Sequence, residues 1–283
     1  MTVEYALRGV PPQSLGPARA IAHKAVQLAT MAARANLVTA PDDSHSNLGW
    51  DSRERRFLSQ PITNSQGSWF VSVSLSPLCV ALVREEETIE LRTLDNISMR
   101  DAAVWLDVQL AKAGLKPASG VELPYALPSD VDAVDVFDQS TGKAALATLS
   151  SWFDLANALI SDFAIEQEGL NPGPSPVRCW PHHFDIATYV SLEAGDFETA
   201  RGIGVGMSPG DENYAQPYFY INPWPHLDAS DLPPLPPPGH WHTQGFVGAI
   251  ATADDILELE DISKELRSLV DQTFTYGRNE LGV

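Results

Sequence analysis

The spacing of apolar residues along the chain predicts helices separated by extended segments. Apolar positions recur every three to four residues in four windows, as in a helix that buries one face. The windows are residues 14–36, 99–113, 143–167 and 254–274. Ser98 and Asp101 have the spacing of a capping box at the second window, and Gly114 follows its end. These residues are typical of helix boundaries.

Two other stretches predict strands. Residues 68–83 are rich in strand-forming apolar residues and are interrupted by Pro77. Residues 88–94 alternate apolar and polar residues, which is the period of an antiparallel strand. Strands between helices predict an α+β fold in which helices cover one face of each sheet.

The second half of the chain repeats landmarks of the first at a shift near 130 residues. Residues 71–77 (VSVSLSP) align with residues 203–209 (IGVGMSP), and Trp50 and Trp180 each open a strand region. Such a period predicts two related halves, each of antiparallel strands flanked by helices, packed as one compact unit. The predicted division is a first repeat at 1–125, a connector at 126–143 and a second repeat at 144–283.

Composition and charge argue against a nucleic-acid-binding protein and a membrane protein. The formal net charge is -19, which argues against a nucleic-acid partner because phosphate binding needs clustered Lys and Arg. No stretch has the apolar length of a signal peptide or a membrane helix, so we expect a cytoplasmic protein with no membrane partner. Cys79 and Cys179 are expected to be free and buried. The oligomeric state is not predicted.

Chemistry-bearing residues concentrate in residues 178–242, within the second half. The stretch holds five of the seven histidines and three of the seven tryptophans. They are His182, His183, His226, His240 and His242 with Trp180, Trp224 and Trp241. This density predicts a site in the second half of the chain.

One hypothesis is a divalent-metal site, with zinc as an example. If residues 179–192 form one strand, His183 and Asp185 lie on the same side, and His240 and His242 share a side of their own segment. His183, His240 and His242 would be the metal ligands. Glu212 or Asp185 would be the catalytic base of a metal-dependent hydrolase.

Two alternatives place the same residues in other roles. Imidazoles and carboxylates can form a structural hydrogen-bond network, or they can border a metal-free pocket for a small molecule. In the pocket, a wall of partly solvent-exposed aromatic side chains would contact the ligand. That wall would consist of Tyr218, Tyr220, Trp224 and Trp241. The Gly-x-Gly at 204–206 lacks the helix start of a dinucleotide fingerprint, so nucleotide binding is not predicted there.

A non-enzymatic function is the competing class. Residues 213–241 are rich in aromatics and proline, and the run 232–238 is expected to be extended polyproline-type chain. This loop would contact another protein chain, or would be a stiff lid or spacer over the site.

The sequence Ser175-Pro176-Val177, then Trp180, then Phe184-Asp185-Ile186-Ala187 resembles a motif of an uncharacterised bacterial family described only as a domain of unknown function. The order of helices and strands is also similar to that family's, over about residues 21–274. The resemblance implies architecture and no chemistry, since the family has no established activity. Small residues occupy the positions of His182 and His183 in the family pattern, so Asp185 is the residue with the more general expected role.

Overall fold

The structure is a computed structural model that describes residues 6–139, 142–195 and 199–283. The helices of eight or more residues are α1 (Gly16–Asn36), α2 (Met99–Lys112), α4 (Lys143–Glu166) and α6 (Ile262–Glu280), with the short helices α3 (Ser129–Asp132) and α5 (Ala253–Leu257). The strands before α4 are β1 (Gly49–Asp51), β2 (Arg56–Leu58), β3 (Ile62–Asn64), β4 (Gly67–Leu75), β5 (Leu78–Arg84), β6 (Glu87–Thr93), β7 (Ile97–Ser98) and β8 (Val136–Phe137). The strands after it are β9 (Gly173–Pro174), β10 (Arg178–Trp180), β11 (Asp185–Ser191), β12 (Gly202–Ser208), β13 (Tyr218–Trp224), β14 (His240–His242) and β15 (Gly248–Thr252).

The chain forms two compact units. The N-terminal unit comprises Ser14–Ser151 together with Cys179–Phe184, and the C-terminal unit comprises Met1–Gln13, Trp152–Arg178 and Asp185–Val283. Each unit contains one large antiparallel sheet with helices, which confirms the predicted α+β class with two halves. The predicted boundaries at 125, 126–143 and 144 stay a prediction. The expected connector contains α3 and the strand β8, which pairs with β7.

In the N-terminal unit the sheet order is β1-β2-β4-β5-β6, with β3 paired to β4. Helix α1 packs on β4, whose Val71, Val73 and Leu75 are fully buried. These three residues alternate with polar or half-buried ones, as expected for a strand with one face in the core. The Ser98 side chain accepts a hydrogen bond from Asp101 N and caps α2, as its sequence predicted.

A short segment from the second half, Cys179–Phe184, is held in the N-terminal unit by α1. The side-chain nitrogens of His23 and Gln27 each lie 2.8 Å from the carbonyl oxygen of Pro181, which accepts both hydrogen bonds. The ring of Phe184 stacks on His23, with centroids 5.1 Å apart. His23 is therefore a packing residue with a defined hydrogen bond.

The predicted continuous strand at 179–192 is wrong. Strand β10 ends at Trp180 and β11 begins at Asp185, and between them Phe184 N donates to Trp180 O at 2.7 Å in a turn. Phe184 has a φ of 62°, a left-handed conformation that L-residues with bulky side chains rarely adopt. Side-chain alternation consequently does not run from His183 to Asp185.

The C-terminal unit is built on strands in the order β11-β12-β13-β15-β14, with β9 paired to β11. Helix α6 packs on β12 and β13. At Gly277 of α6, a Cβ atom would lie 3.0 Å from side-chain atoms of Ile203 and Pro223, so this glycine lets the helix approach the sheet closely. The opposite face of the same sheet is free of α6. Within the described ranges, no helix combines the length and the apolar character that spanning a membrane requires.

We expect the N-terminal unit to lose stability as the pH falls from 6.5 to 4, because burial lowers the pKa of His23 from 6.5 to about 4. In that window the unfolded chain binds a proton that the folded unit does not. The contribution is complete above pH 6.5 and is lost progressively as the pH falls, by up to about 3 kcal/mol.

Urea unfolding at several pH values measures this effect. His23→Gln removes the titrating ring, so the variant should be less stable near neutral pH but should show a shallower decline below pH 6.5. His226→Gln is the control because that ring is exposed, and it should keep the wild-type profile. An equally steep decline in His23→Gln would contradict the assignment.

Candidate functional site

The strand β12 has glycine at every second position on the face that points away from α6. These are Gly202, Gly204 and Gly206, whereas Ile203 and Val205 on the α6 side are fully buried. Successive side chains of a strand point to opposite faces. One face of the central strand therefore lacks side chains along most of its length.

Tyrosine rings from the two neighbouring strands fill the space above these glycines. A Cβ at Gly202 would lie 2.4 Å from the Tyr189 ring, and one at Gly206 would lie 2.4 Å from the Tyr220 ring. Gly204 is different, since its nearest neighbour would be 3.8 Å away. The two outer glycines are thus required by the rings, and the middle one is not.

Strand pairing defines which residues share this face, which we call the tyrosine face. Gly206 pairs with Tyr220 and Ala187, Gly204 pairs with Asn222 and Tyr189, and paired residues lie on the same side of the sheet. The tyrosine face carries Asp185, Tyr189, Tyr218, Tyr220, Asn222, Trp224, His240 and His242, together with the hydroxyl residues Ser191, Ser208 and Thr252. The strands β11 to β15 contain no lysine or arginine, and Arg178 lies in the edge strand β10.

Two carboxylates accept hydrogen bonds from the tyrosines of β13. The Tyr220 hydroxyl donates to Asp185 Oδ2 at 2.5 Å, and the Tyr218 hydroxyl donates to Asp211 Oδ2 at 2.5 Å. Burial, and then the adjacent Asp211 carboxylate, raise the pKa of Tyr218. Both phenols are therefore hydrogen-bond donors with fixed acceptors.

Tyr214 lies between the two histidines of β14. Its hydroxyl oxygen is 3.2 Å from His240 Nε2 and 3.0 Å from His242 Nδ1, and His242 Nε2 is 2.6 Å from the carbonyl oxygen of Gln244. That carbonyl can only accept, so Nε2 of His242 carries the proton and, in the neutral ring, Nδ1 accepts from Tyr214. A hydroxyl has one proton, so His240 Nε2 donates to Tyr214. The neutral His240 ring then presents Nδ1 as an acceptor.

Six of the predicted site residues lie on the tyrosine face. Five of them are Asp185, Tyr218, Tyr220, His240 and His242. Trp224 lies at the end of β13 on the same face, 36% exposed, and packs edge-on against His226.

Three predicted residues lie elsewhere. Trp241 has the opposite orientation on β14, where its Nε1 donates to Pro233 O at 2.7 Å and its ring contacts Tyr276 of α6. Glu212 is exposed in the turn after β12. His183 belongs to the N-terminal unit, is exposed, and its ring centroid is 4.2 Å from that of His182.

A metal centre requires several ligand atoms aimed at one point. Among the described residues, no group of three or more His, Cys, Asp or Glu side chains is arranged to hold a metal ion. Both ring nitrogens of His242 are within hydrogen-bond distance of protein atoms. This geometry supports the hydrogen-bond network over the metal hypothesis for the β14 histidines.

Sequence reasoning missed Tyr189, Tyr214 and Asn222 as members of the site. The signal that could have found the face was the alternation of glycine in residues 202–206. On a strand, glycine at every second position leaves room for rings from adjacent strands, and tyrosines at spacings of two occur in 218–220.

Comparisons of the chain with protein-family models, with curated proteins and with solved structures find no match. The resemblance to the uncharacterised bacterial family therefore stays a prediction.

Alanine substitution should change the stability of the protein differently at two glycines of β12. Gly206→Ala would place Cβ 2.4 Å from the Tyr220 ring and 2.8 Å from Ala187 Cβ, and overpacking of this kind typically costs about 1–3 kcal/mol. Gly204→Ala meets only ordinary contacts, so it should be neutral or slightly stabilising. Thermal or urea unfolding of the two variants measures the difference, and equal stability of both would contradict the ring placement.

Proposed function

We propose that the C-terminal unit is a binding module that takes a small cationic organic molecule, such as an amine, on its tyrosine face. The observation that supports the proposal most directly is the combination of aromatic rings with hydrogen-bond acceptors on strands β11 to β15, which contain no lysine or arginine. A ligand that complements this face carries positive charge and hydrogen-bond donors.

The acceptors of the face come from several side chains. Asp185 and Asp211 contribute two carboxylates at the ends of the Tyr220 and Tyr218 hydroxyls. The Asn222 Oδ1 atom is buried and accepts no hydrogen bond from a described residue. A buried acceptor of this kind is stabilised by a donor, which a hydroxyl or N–H group of a cationic ligand supplies.

The rings add a second attraction for a cation. Tyr189 and Tyr220 are half-buried, and Trp224 is 36% exposed. A cation near the face of an aromatic ring gains about 0.5–2 kcal/mol, depending on how far it is desolvated. The net charge of -19 also raises the local concentration of small cations around the protein.

The competing functions have weaker support. The histidines on β14 are assigned to the network that positions Tyr214, so the proposal needs neither a metal nor hydrolysis. The proline-rich loop is held by its own unit: Trp241 binds the Pro233 carbonyl, and a Cβ at Gly239 would lie 2.4 Å from Leu269 of α6. These contacts give the loop a structural role in the C-terminal unit.

We also infer that the two units descend from one duplicated element. Each places a helix before and after an antiparallel sheet, with α1 and α2 in one, and α6 and the part of α4 from Trp152 onward in the other. In the predicted alignment, Gly204 and Gly206 of β12 correspond to Ser72 and Ser74 of β4. The tyrosine face would then be a feature of the second copy alone.

The binding proposal is tested with choline and its neutral isostere 3,3-dimethyl-1-butanol, by calorimetric titration and by tyrosine signals in NMR spectra. Choline should bind, and the isostere should bind at least about tenfold more weakly because it lacks the charge. Equal affinity for both compounds, or no binding of either, would contradict the proposal.

Charge-matched variants locate the site. Asp211→Asn removes a carboxylate beside Tyr218 and should weaken choline binding severalfold. Asp228→Asn removes an exposed carboxylate outside the tyrosine face and is the control, with unchanged affinity expected. Equal weakening by both variants would show that choline responds only to the overall charge of the protein.

A further inference from the structure

The strand β6 is the last strand on one side of the N-terminal sheet. Within the described residues its backbone pairs with β5 alone. Its side chains are also unusually exposed, and Leu91 and Ile89 are 55% and 37% accessible. An edge strand with open backbone groups and exposed large apolar residues is a template for pairing with another strand.

The charged side chains of β6 favour one register for such pairing. Glu90 and Arg92 lie on one face of the strand, and Leu91 lies on the other. If two copies of β6 pair antiparallel about a two-fold axis at Leu91, Glu90 of each copy is directly opposite Arg92 of the other. The two Leu91 side chains then face each other on the opposite side of the sheet.

Neighbouring registers are less favourable. A two-fold axis at Glu90 would place two glutamates opposite each other, and like charges in that position are destabilising. The pairing of β5 and β6 shifts between Leu82 and Val83, so the regular part of the edge runs from Glu90 to Thr93. The axis at Leu91 uses that regular part and makes two opposite-charge pairs.

We propose that the protein forms a two-fold symmetric dimer through antiparallel pairing of β6 with β6 of a second copy. A two-fold axis gives an isologous contact in which each attractive pair occurs twice. The interface adds backbone hydrogen bonds to the Glu90–Arg92 pairs and covers the exposed Leu91. The net charge of -19 per chain opposes association, so salt that screens long-range repulsion favours the dimer.

Sedimentation equilibrium of the full chain at about 0.15 M salt, where the Debye length is about 8 Å, tests the proposal. The wild type should show a monomer–dimer equilibrium. Glu90→Arg and Arg92→Glu each replace two attractive pairs with two repulsive ones, so each should weaken dimerisation at least about tenfold. The double variant restores opposite charges and should dimerise as the wild type does.

Glu86→Arg is the control, because this exposed residue lies in the turn before β6 and should leave the dimer unchanged. Glu86 and Glu90 are exposed and Arg92 is half-buried, and circular dichroism verifies that the variants fold. A monomeric wild type, single variants that dimerise normally, or a double variant that stays monomeric would each overturn the proposal.

Discussion

Tyrosine rings from the neighbouring strands pack directly on the glycine backbone of β12. This contact determines how the polar groups of the tyrosine face are arranged. Because Gly202 and Gly206 have no Cβ, the ends of Tyr189 and Tyr220 occupy the space directly above the central strand. Glycine ordinarily weakens a strand, since it loses more conformational entropy on folding and packs no side chain. Here the rings cover the exposed backbone, and their position brings the Tyr220 hydroxyl to Asp185. The packing of the rings on the glycines therefore places the polar groups of the tyrosine face.

The hydrogen bonds of the tyrosine face have a consistent donor-to-acceptor direction. The phenols of Tyr218 and Tyr220 donate to carboxylates, and the tautomers required by Gln244 and Tyr214 leave an acceptor on the outer nitrogen of His240. In the proposed function, such acceptors and ring faces would discriminate by charge, because an anionic or acceptor-rich ligand would leave the acceptors unpaired. The corresponding positions of the N-terminal sheet, Ser72 and Ser74 in the predicted alignment, have side chains and so leave no comparable space for rings.

The sequence predicted the elements well and the site in part. Amphipathic spacing located α1, α2 and α4, and the predicted closing helix at 254–274 is divided into α5 and α6. Runs of strand-forming residues located β4 and β5, and alternation located β6. Asp185, Tyr218 and Tyr220 were also named as site residues from the sequence. Alternation failed at 181–184, where Phe184 turns the chain and packs on His23, a contact between residues far apart in sequence. The role of the glycines was missed for the same reason, since it depends on which strands are neighbours.

Proton NMR of the glycine Hα atoms tests the central claim most directly. If the tyrosine rings cover β12, ring currents should shift the Hα resonances of Gly202 and Gly206 upfield. Tyr189→Leu should return the Gly202 shift to ordinary values, and Tyr220→Leu should do so for Gly206, each without affecting the other glycine. Ordinary shifts in the wild type, or shifts that survive both substitutions, would contradict the account.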